Sequence, residues 1–227
     1  MSPKLGLAAL AALGLAVTAM VNAPAQSAER VVTAPVAKVD TPATGMQTAI
    51  FAGGCFWGIE GVFSHVKGVK SAVSGYAGGK AGLKVGYEDV SGGDTGYAES
   101  VRVTFDPRVV SYGQLLRIFF SVGADPTTLN YQGPDHGTQY RSALFPQTKE
   151  QDAVARAYLA QMGASGLWRG KVVTRVESTV SWQPAEGYHQ DFFTKNPNHP
   201  YIQRWDAPKV AALKAMFPTM YAARPAA

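Results

Sequence analysis

The sequence predicts a single domain of the two-layer α/β or α+β sandwich type, and three observations lead there. Apolar residues alternate at period two in several short stretches. Others recur at helical spacing, and the two kinds of stretch interleave along the chain. The 227 residues are 46% hydrophobic and 16% charged, a composition able to build a core. That length suggests one domain with tails.

Residues 48–52 (Thr-Ala-Ile-Phe-Ala) read as a short buried strand ended by Gly53 and Gly54. A helix is predicted over 56–66, with Ile59, Val62, Phe63 and Val66 on one face. Residues 69–76 follow as a second strand. From 77 to 96 the chain holds seven glycines and little apolar periodicity, which reads as a long functional loop. In 100–105, Val101, Val103 and Phe105 alternate with Arg102 and Thr104, a strand with one buried face closed by Asp106-Pro107. Ser111 and Gln114 form a capping box for a helix whose apolar stripe is Tyr112, Leu115, Leu116, Phe119 and Phe120. A turn-rich loop is predicted over 130–138, a strand over 140–145, a helix over 147–161 and a strand over 171–178. Short helices and Pro-punctuated loops make up the rest.

The N-terminus carries Lys4, an apolar stretch from Leu5 to Val21, and then Ala23-Pro24-Ala25. This is the layout of a secretory signal peptide over 1–25, with cleavage after Ala25 or Ala28. A membrane anchor is the rival reading, since about 17 residues is the lower limit for spanning. Residues 26–46, rich in Ala, Pro, Thr and Val, read as a flexible lead-in. The folded domain is placed at 47–215 and a tail at 216–227. The net charge of +5 is mild and scattered, so nucleic acid is not an expected partner.

Cys55 is the one cysteine of the chain, set in Gly53-Gly54-Cys55-Phe56-Trp57-Gly58. An exported protein ordinarily pairs its cysteines, so an odd one points to a reactive thiol. At the first turn of a helix, free backbone N–H groups and the helix dipole would lower its pKa. The plain alternative is a small side chain packed under the helix start. Glu99 shares the parity of Val101, Val103 and Phe105. On that buried face its carboxyl would stay protonated to higher pH and could act as a general acid; just before the strand it would point to solvent. Tyr76, Tyr97, Tyr131 and Tyr140 fall at strand ends or in Gly-rich loops, where a phenol is either half-buried packing or a hydrogen-bond donor to substrate. The four histidines show no metal-ligand spacing. His189 is the candidate base for a Cys–His acyl-transfer site, because such partners meet in space rather than in sequence.

Six stretches in order resemble one family over nearly all of residues 47–201. They are Gly54-Cys55-Phe56-Trp57-Gly58, Gly75-Tyr76-Ala77-Gly78-Gly79, Tyr87-Glu88-Asp89-Val90, Ala98-Glu99 running into Val101-Arg102-Val103-Thr104-Phe105-Asp106-Pro107, Gly137-Thr138-Gln139-Tyr140-Arg141-Ser142, and Tyr188-His189-Gln190. The family is the A-type peptide methionine sulfoxide reductases. The resemblance implies an α/β sandwich with a ferredoxin-like core. It implies that Cys55 attacks the sulfoxide sulfur and that Glu99 protonates the departing oxygen. Tyr76 and Tyr140 match tyrosines that hydrogen-bond that oxygen, Asp135 matches an acidic residue lining the pocket, and Phe56 and Trp57 match the wall that holds the methyl group. It further implies selectivity for the S epimer, in proteins, peptides or free methionine sulfoxide, with each epimer having its own enzyme.

Family members often carry resolving cysteines near the C-terminus; this chain has none, and Ser91 and Tyr97 stand where relatives often have Cys and His. The sulfenic acid left on Cys55 must then be reduced by an external thiol, small or thioredoxin-like, with no cofactor. A periplasmic monomer is the expectation. Two other readings stay open from the residues themselves: a Cys–His hydrolase using Cys55 and His189, and a non-catalytic module that grips methionine.

Overall fold

The computed structural model describes residues 31–42, 44–179 and 181–226; the stretch read as a signal peptide lies outside them. Strand β1 (Gln47–Gly53) sits inside a six-stranded sheet. Helix α1 (Phe56–Ser64) leads to β2 (Val69–Gly78), and a short helix α2 (Tyr87–Ser91) precedes β3 (Tyr97–Phe105). Helix α3 (Tyr112–Ile118) continues into a π-helical turn, Phe119–Gly123. Strands β4 (Tyr131–Gln132) and β5 (Asp135–His136) make a small hairpin, followed by a 3₁₀ turn, Thr138–Tyr140, and β6 (Ser142–Phe145). Then come α4 (Lys149–Ala164), β7 (Arg175–Val176), β8 (Trp182–Pro184), α5 (Phe192–Lys195), a π turn Ile202–Asp206 and α6 (Ala207–Met216).

From edge to edge the sheet runs β7, β6, β1, β3, β2, β8. β1 is antiparallel to β3 and β6, β2 is antiparallel to β3 and β8, and β7 is parallel to β6. Period two divides β1 between two cores. Ala49 and Phe51 face the helices, where the Phe51 ring lies 4.6 Å from Phe63 of α1 and 5.4 Å from Phe119 after α3. Ile50 and Ala52 join Ala77, Ala98, Ala143 and Phe145 on the opposite face, under Trp182. The two-layer α/β architecture is the one expected. The Ser111–Gln114 capping box is present in both directions, at 3.2 and 2.9 Å.

Several boundaries differ from expectation, each for a local reason. The 77–96 stretch contains α2, stapled by the Ser91 hydroxyl donating to the Tyr87 carbonyl at 2.7 Å. Tyr140 lies in the 3₁₀ turn that follows Gly137, which has φ 134°, so β6 starts only at Ser142. Of 171–178 only Arg175–Val176 joins the sheet, at its edge; the Val173 N–H goes instead to the Pro126 carbonyl at 2.8 Å.

The segments flanking the domain also make contacts with it. Residues 31–42 have no helix or strand, yet they are seated on the domain. Val32 and Ala34 are buried and donate N–H groups to Ser121. The Tyr158 hydroxyl donates to the Pro35 carbonyl at 2.7 Å, and Asp40 accepts from Gly113 N–H at the start of α3. At the other end Phe217 is buried, Tyr221 bridges Val66, and Ala222 N–H donates to the His65 carbonyl at 2.7 Å. Both ends hold because each supplies apolar side chains together with backbone partners.

Removing residues 1–42 should therefore lower the unfolding free energy by on the order of 2–4 kcal/mol relative to removing 1–30. Urea denaturation of the two truncated chains measures this, and equal midpoints would place the segment outside the folded unit.

Candidate active site

β1 ends against Phe119 and Ala124, beyond α3, and the chain must turn at once to enter α1. Gly54 makes that turn with φ 88°, and a Cβ there would meet the Gln132 side chain at 2.5 Å. Only glycine satisfies both demands. Cys55 follows as the N-cap residue of α1, half-buried, its side chain making no cap hydrogen bond. The expected lowering of its pKa is not found. Burial, then the negative charges of Glu99, Asp206 and Asp135, push the thiol well above its ordinary value. The Trp57 backbone N–H pulls the other way and loses, so a helix N-terminus is outweighed by three acids and loss of water.

Glu99 lies inside β3, directly across from Tyr76 on β2, and is 3% exposed. This settles its position in favour of the buried face. Its Oε2 accepts the Phe56 backbone N–H at 3.0 Å, so the strand carboxyl caps the helix that carries Cys55. Burial raises its pKa to about 8, opposed by that hydrogen bond and assisted by Asp135 and Asp206. At neutral pH most of it carries a proton.

The aromatic pair divides its work. Phe56 is buried against His189 and Tyr76, with ring centroids 4.9 and 5.9 Å away. Trp57 is half-buried and held on every side. It stacks on Phe192 at 3.8 Å and 11°, meets Tyr201 edge-on at 5.8 Å, and donates its indole N–H to His189 Nδ1 at 3.0 Å. That bond occupies the lone pair of Nδ1, so the ring carries its proton on Nε2. Burial holds the imidazole below its ordinary pKa, with Glu186 opposing. His189 is thus a neutral support for the indole. The Cys–His pairing weighed from the sequence is not formed.

The tyrosines sort by their hydroxyl partners. Tyr76 donates to Glu186 Oε2 at 2.8 Å, so its hydroxyl is committed away from the thiol. Tyr97 donates to the Leu83 carbonyl at 2.8 Å, and Tyr131 stacks on His136 at the surface. Tyr140 lies among the charged groups around Cys55. Burial, Glu99, Tyr87, Asp135 and Cys55 all raise its pKa, which places it within their fields. Arg141 fixes its 3₁₀ turn by donating to the Thr138 and Gly96 carbonyls and pairing with Glu177 at 2.9 Å.

Tyr87, Tyr201 and Asp206 also belong to this neighbourhood. Tyr87 on α2 has its pKa raised by burial and then by Glu99, with Cys55 also contributing. Its segment is tied to that of Tyr140 by the Gln139 amide donating to the Ser91 carbonyl at 3.0 Å. Tyr201 donates a short hydrogen bond to Asp135, on β5. Asp206 is fully buried against α1, where a Cβ at Gly58 would lie 2.2 Å from its Oδ1. Tyr87 opened a quoted motif, but the surrounding glycines hid its short helix; for Asp206 no local pattern marked it. Among the described residues no group of three or more His, Cys, Asp or Glu is placed to hold a metal ion. The site can hold a protonated carboxyl, two phenols and a thiol around one small polar group, with an indole beside them.

A family model described as peptide methionine sulfoxide reductase matches residues 47–220. A Mesorhizobium japonicum protein named peptide methionine sulfoxide reductase MsrA 2 is 54% identical over 183 residues, 81% of this chain and 93% of the relative. A Synechocystis protein of the same name is 49% identical, over 79% of this chain and 83% of its own length. Among solved structures, reduced Mxr1 of Saccharomyces cerevisiae is similar with a TM-score of 0.57 and 34% identity, over 71% of this chain and 91% of that one. Methionine sulfoxide reductase A of Corynebacterium diphtheriae is similar with a TM-score of 0.58 and 30% identity, over 75% and 84%.

The raised pKa of Glu99 has a consequence for stability. Between the ordinary 4.5 and about 8 the folded protein holds a proton that the unfolded chain releases. The resulting stabilisation is full below the lower value and lost as pH rises through the upper one. Glu99→Gln should therefore gain on the wild type by on the order of 1–3 kcal/mol between pH 5 and pH 8. Chemical denaturation at the two pH values reads the difference, and a constant gap would mean that Glu99 does not bind this proton.

Proposed function

This chain belongs to the peptide methionine sulfoxide reductase family, and on that premise we propose that Cys55 and Glu99 together reduce the S epimer of methionine sulfoxide. One observation carries the reading: a buried carboxyl, its pKa raised by that burial, accepts the backbone N–H next to the only thiol.

Reduction of a methionine sulfoxide by a thiol needs two things at once. Sulfur must be attacked by sulfur, and the oxygen must be protonated before its bond can weaken. Cys55 supplies the nucleophile, and Glu99 supplies the proton that the oxygen takes up. Tyr87 and Tyr140 donate hydrogen bonds to the oxygen as charge develops on it. The thiol starts protonated because burial, and then the surrounding acids, raise its pKa, so its proton leaves as the oxygen gains one. The balance is one thiol and one sulfoxide giving one sulfenic acid on Cys55 and one methionine. Two further thiols then return the sulfenic acid to thiol, forming one disulfide and one water. With a single cysteine in the chain, both come from outside it, from a small thiol or a thioredoxin-like protein.

Epimer selectivity follows from three unlike neighbours around one sulfur. The oxygen faces Glu99 and the two phenols, the methyl group faces Trp57 with Phe56 behind it, and the rest of the chain faces solvent. The other epimer would exchange two of these. The substrate class is methionine sulfoxide, in proteins, peptides or free. Lys4 and the apolar stretch after it support export, to a periplasm or an equivalent compartment.

Cys55→Ser should abolish methionine formation in a single turnover with the fold intact. Glu99→Gln keeps the acceptor for Phe56 N–H but has no acidic proton, and should slow that turnover by about 10²–10⁴-fold. Tyr87→Phe should slow it more than Tyr76→Phe, since the Tyr76 hydroxyl already serves Glu186. Rapid-quench assays on one resolved epimer test all three. Turnover by Cys55→Ser, or an unchanged rate in Glu99→Gln, would remove those residues from the chemistry.

A further inference from the structure

We infer that Glu60 is a positioning residue for this site: its carboxyl holds the Asp191 corner, whose flanking side chains grip the Trp57 indole. The inference rests on the reading of Trp57 as the wall for the methyl group.

Glu60 sits three residues after Trp57 on α1 and is 3% exposed. Its Oε1 accepts the Asp191 backbone N–H at 3.1 Å, and its Oε2 accepts the Ser74 hydroxyl at 2.9 Å. Asp191 has φ 56° and ψ 26°, a left-handed conformation that a residue with a Cβ keeps only where its surroundings hold it. The preceding residue is held from β2. Gln190 accepts the Ser74 N–H at 3.0 Å and donates to the Ser74 carbonyl at 3.0 Å. The corner is therefore clamped by Glu60 and Ser74 together.

What leaves the corner on either side is the support of the wall. His189 accepts the indole N–H, and Phe192 stacks on the indole face. Trp57, Glu60, Asp191 and Phe192 thus close a ring of contacts in which only the carboxyl is polar and buried. Packing alone would be served by leucine, without the desolvation that an ionisable group suffers there. Burial raises the Glu60 pKa to about 7, against its two hydrogen bonds and Lys195. A carboxyl in such a place is explained by the directed bond it makes to a strained backbone.

The test pairs a structural readout with a kinetic one. In ¹⁵N-labelled protein the Trp57 indole N–H resonance is assigned with Trp57→Phe, and its exchange with solvent is measured in Glu60→Leu, Glu60→Gln and wild type. Glu60→Leu should speed that exchange by about tenfold. The sulfoxide concentration giving half the single-turnover rate should rise by about tenfold, while the saturating rate falls by less than about threefold. Glu60→Gln retains an amide oxygen for Asp191 N–H and should restore both. A folded Glu60→Leu with unchanged exchange and half-saturation overturns the proposal. Should Glu60→Leu not fold, Ser74→Ala removes one bond to the same carboxyl; a smaller shift in the same direction supports the proposal, and no shift overturns it. Failure of the wild type to form sulfenic acid would overturn the function reading instead, and the exchange measurement would still decide Glu60.

Discussion

The hydrogen bond from Phe56 N–H to Glu99 ties the middle of the sheet to the first turn of α1, across 43 residues of chain. An N-cap residue normally satisfies the first free N–H groups with its own side chain. Cys55 makes no such bond, and the carboxyl of β3 takes over the work. One contact thereby does three things. It caps the helix, it places an acid beside the thiol, and it holds the carboxyl in the buried interior. The protonation of Glu99 follows from that last effect, since burial disfavours its ionised form.

Such closeness needs missing side chains. Gly54 brings the turn against Gln132, and Gly58 admits Asp206 to the surface of α1. With a methyl group at either place the hairpin bearing Asp135 or the segment before α6 would stand off. The fields of those acids at Cys55 would weaken with distance. The glycines in the cysteine motif are therefore best understood as packing surfaces for distant parts of the chain, and the conformational freedom of Gly54 is only part of their use.

Much of this was legible from residue patterns. Alternation in β3 gave the buried face on which Glu99 lies, and the 3.6-residue recurrence in 56–66 gave the helix that begins beside Cys55. The Ser111–Gln114 pair announced a cap that is present. The misreadings have a common cause. The lead-in lacks periodicity because it binds by single side chains and backbone groups. The 77–96 stretch is rich in glycine, yet its α2 helix is stabilised by contacts with the 3₁₀ turn at Thr138–Tyr140. Tyr76 and Tyr87 cannot be told apart by type or neighbourhood; the partner of the Tyr76 hydroxyl is Glu186, 110 residues away.

The sequence by itself determined the architecture, the position of the one thiol and the face on which Glu99 lies, because these depend on period and on residue type over a few positions. Tertiary structure alone decided the protonation of Cys55, the partners of the tyrosine hydroxyls and the neutral state of His189 beneath the indole. Those properties are set by desolvation and by charges and hydrogen-bond partners that meet only when Asp135, Glu186 and Asp206 are brought together by folding. The solitary cysteine could be found from its neighbours in the chain. Its chemistry belongs to its neighbours in space.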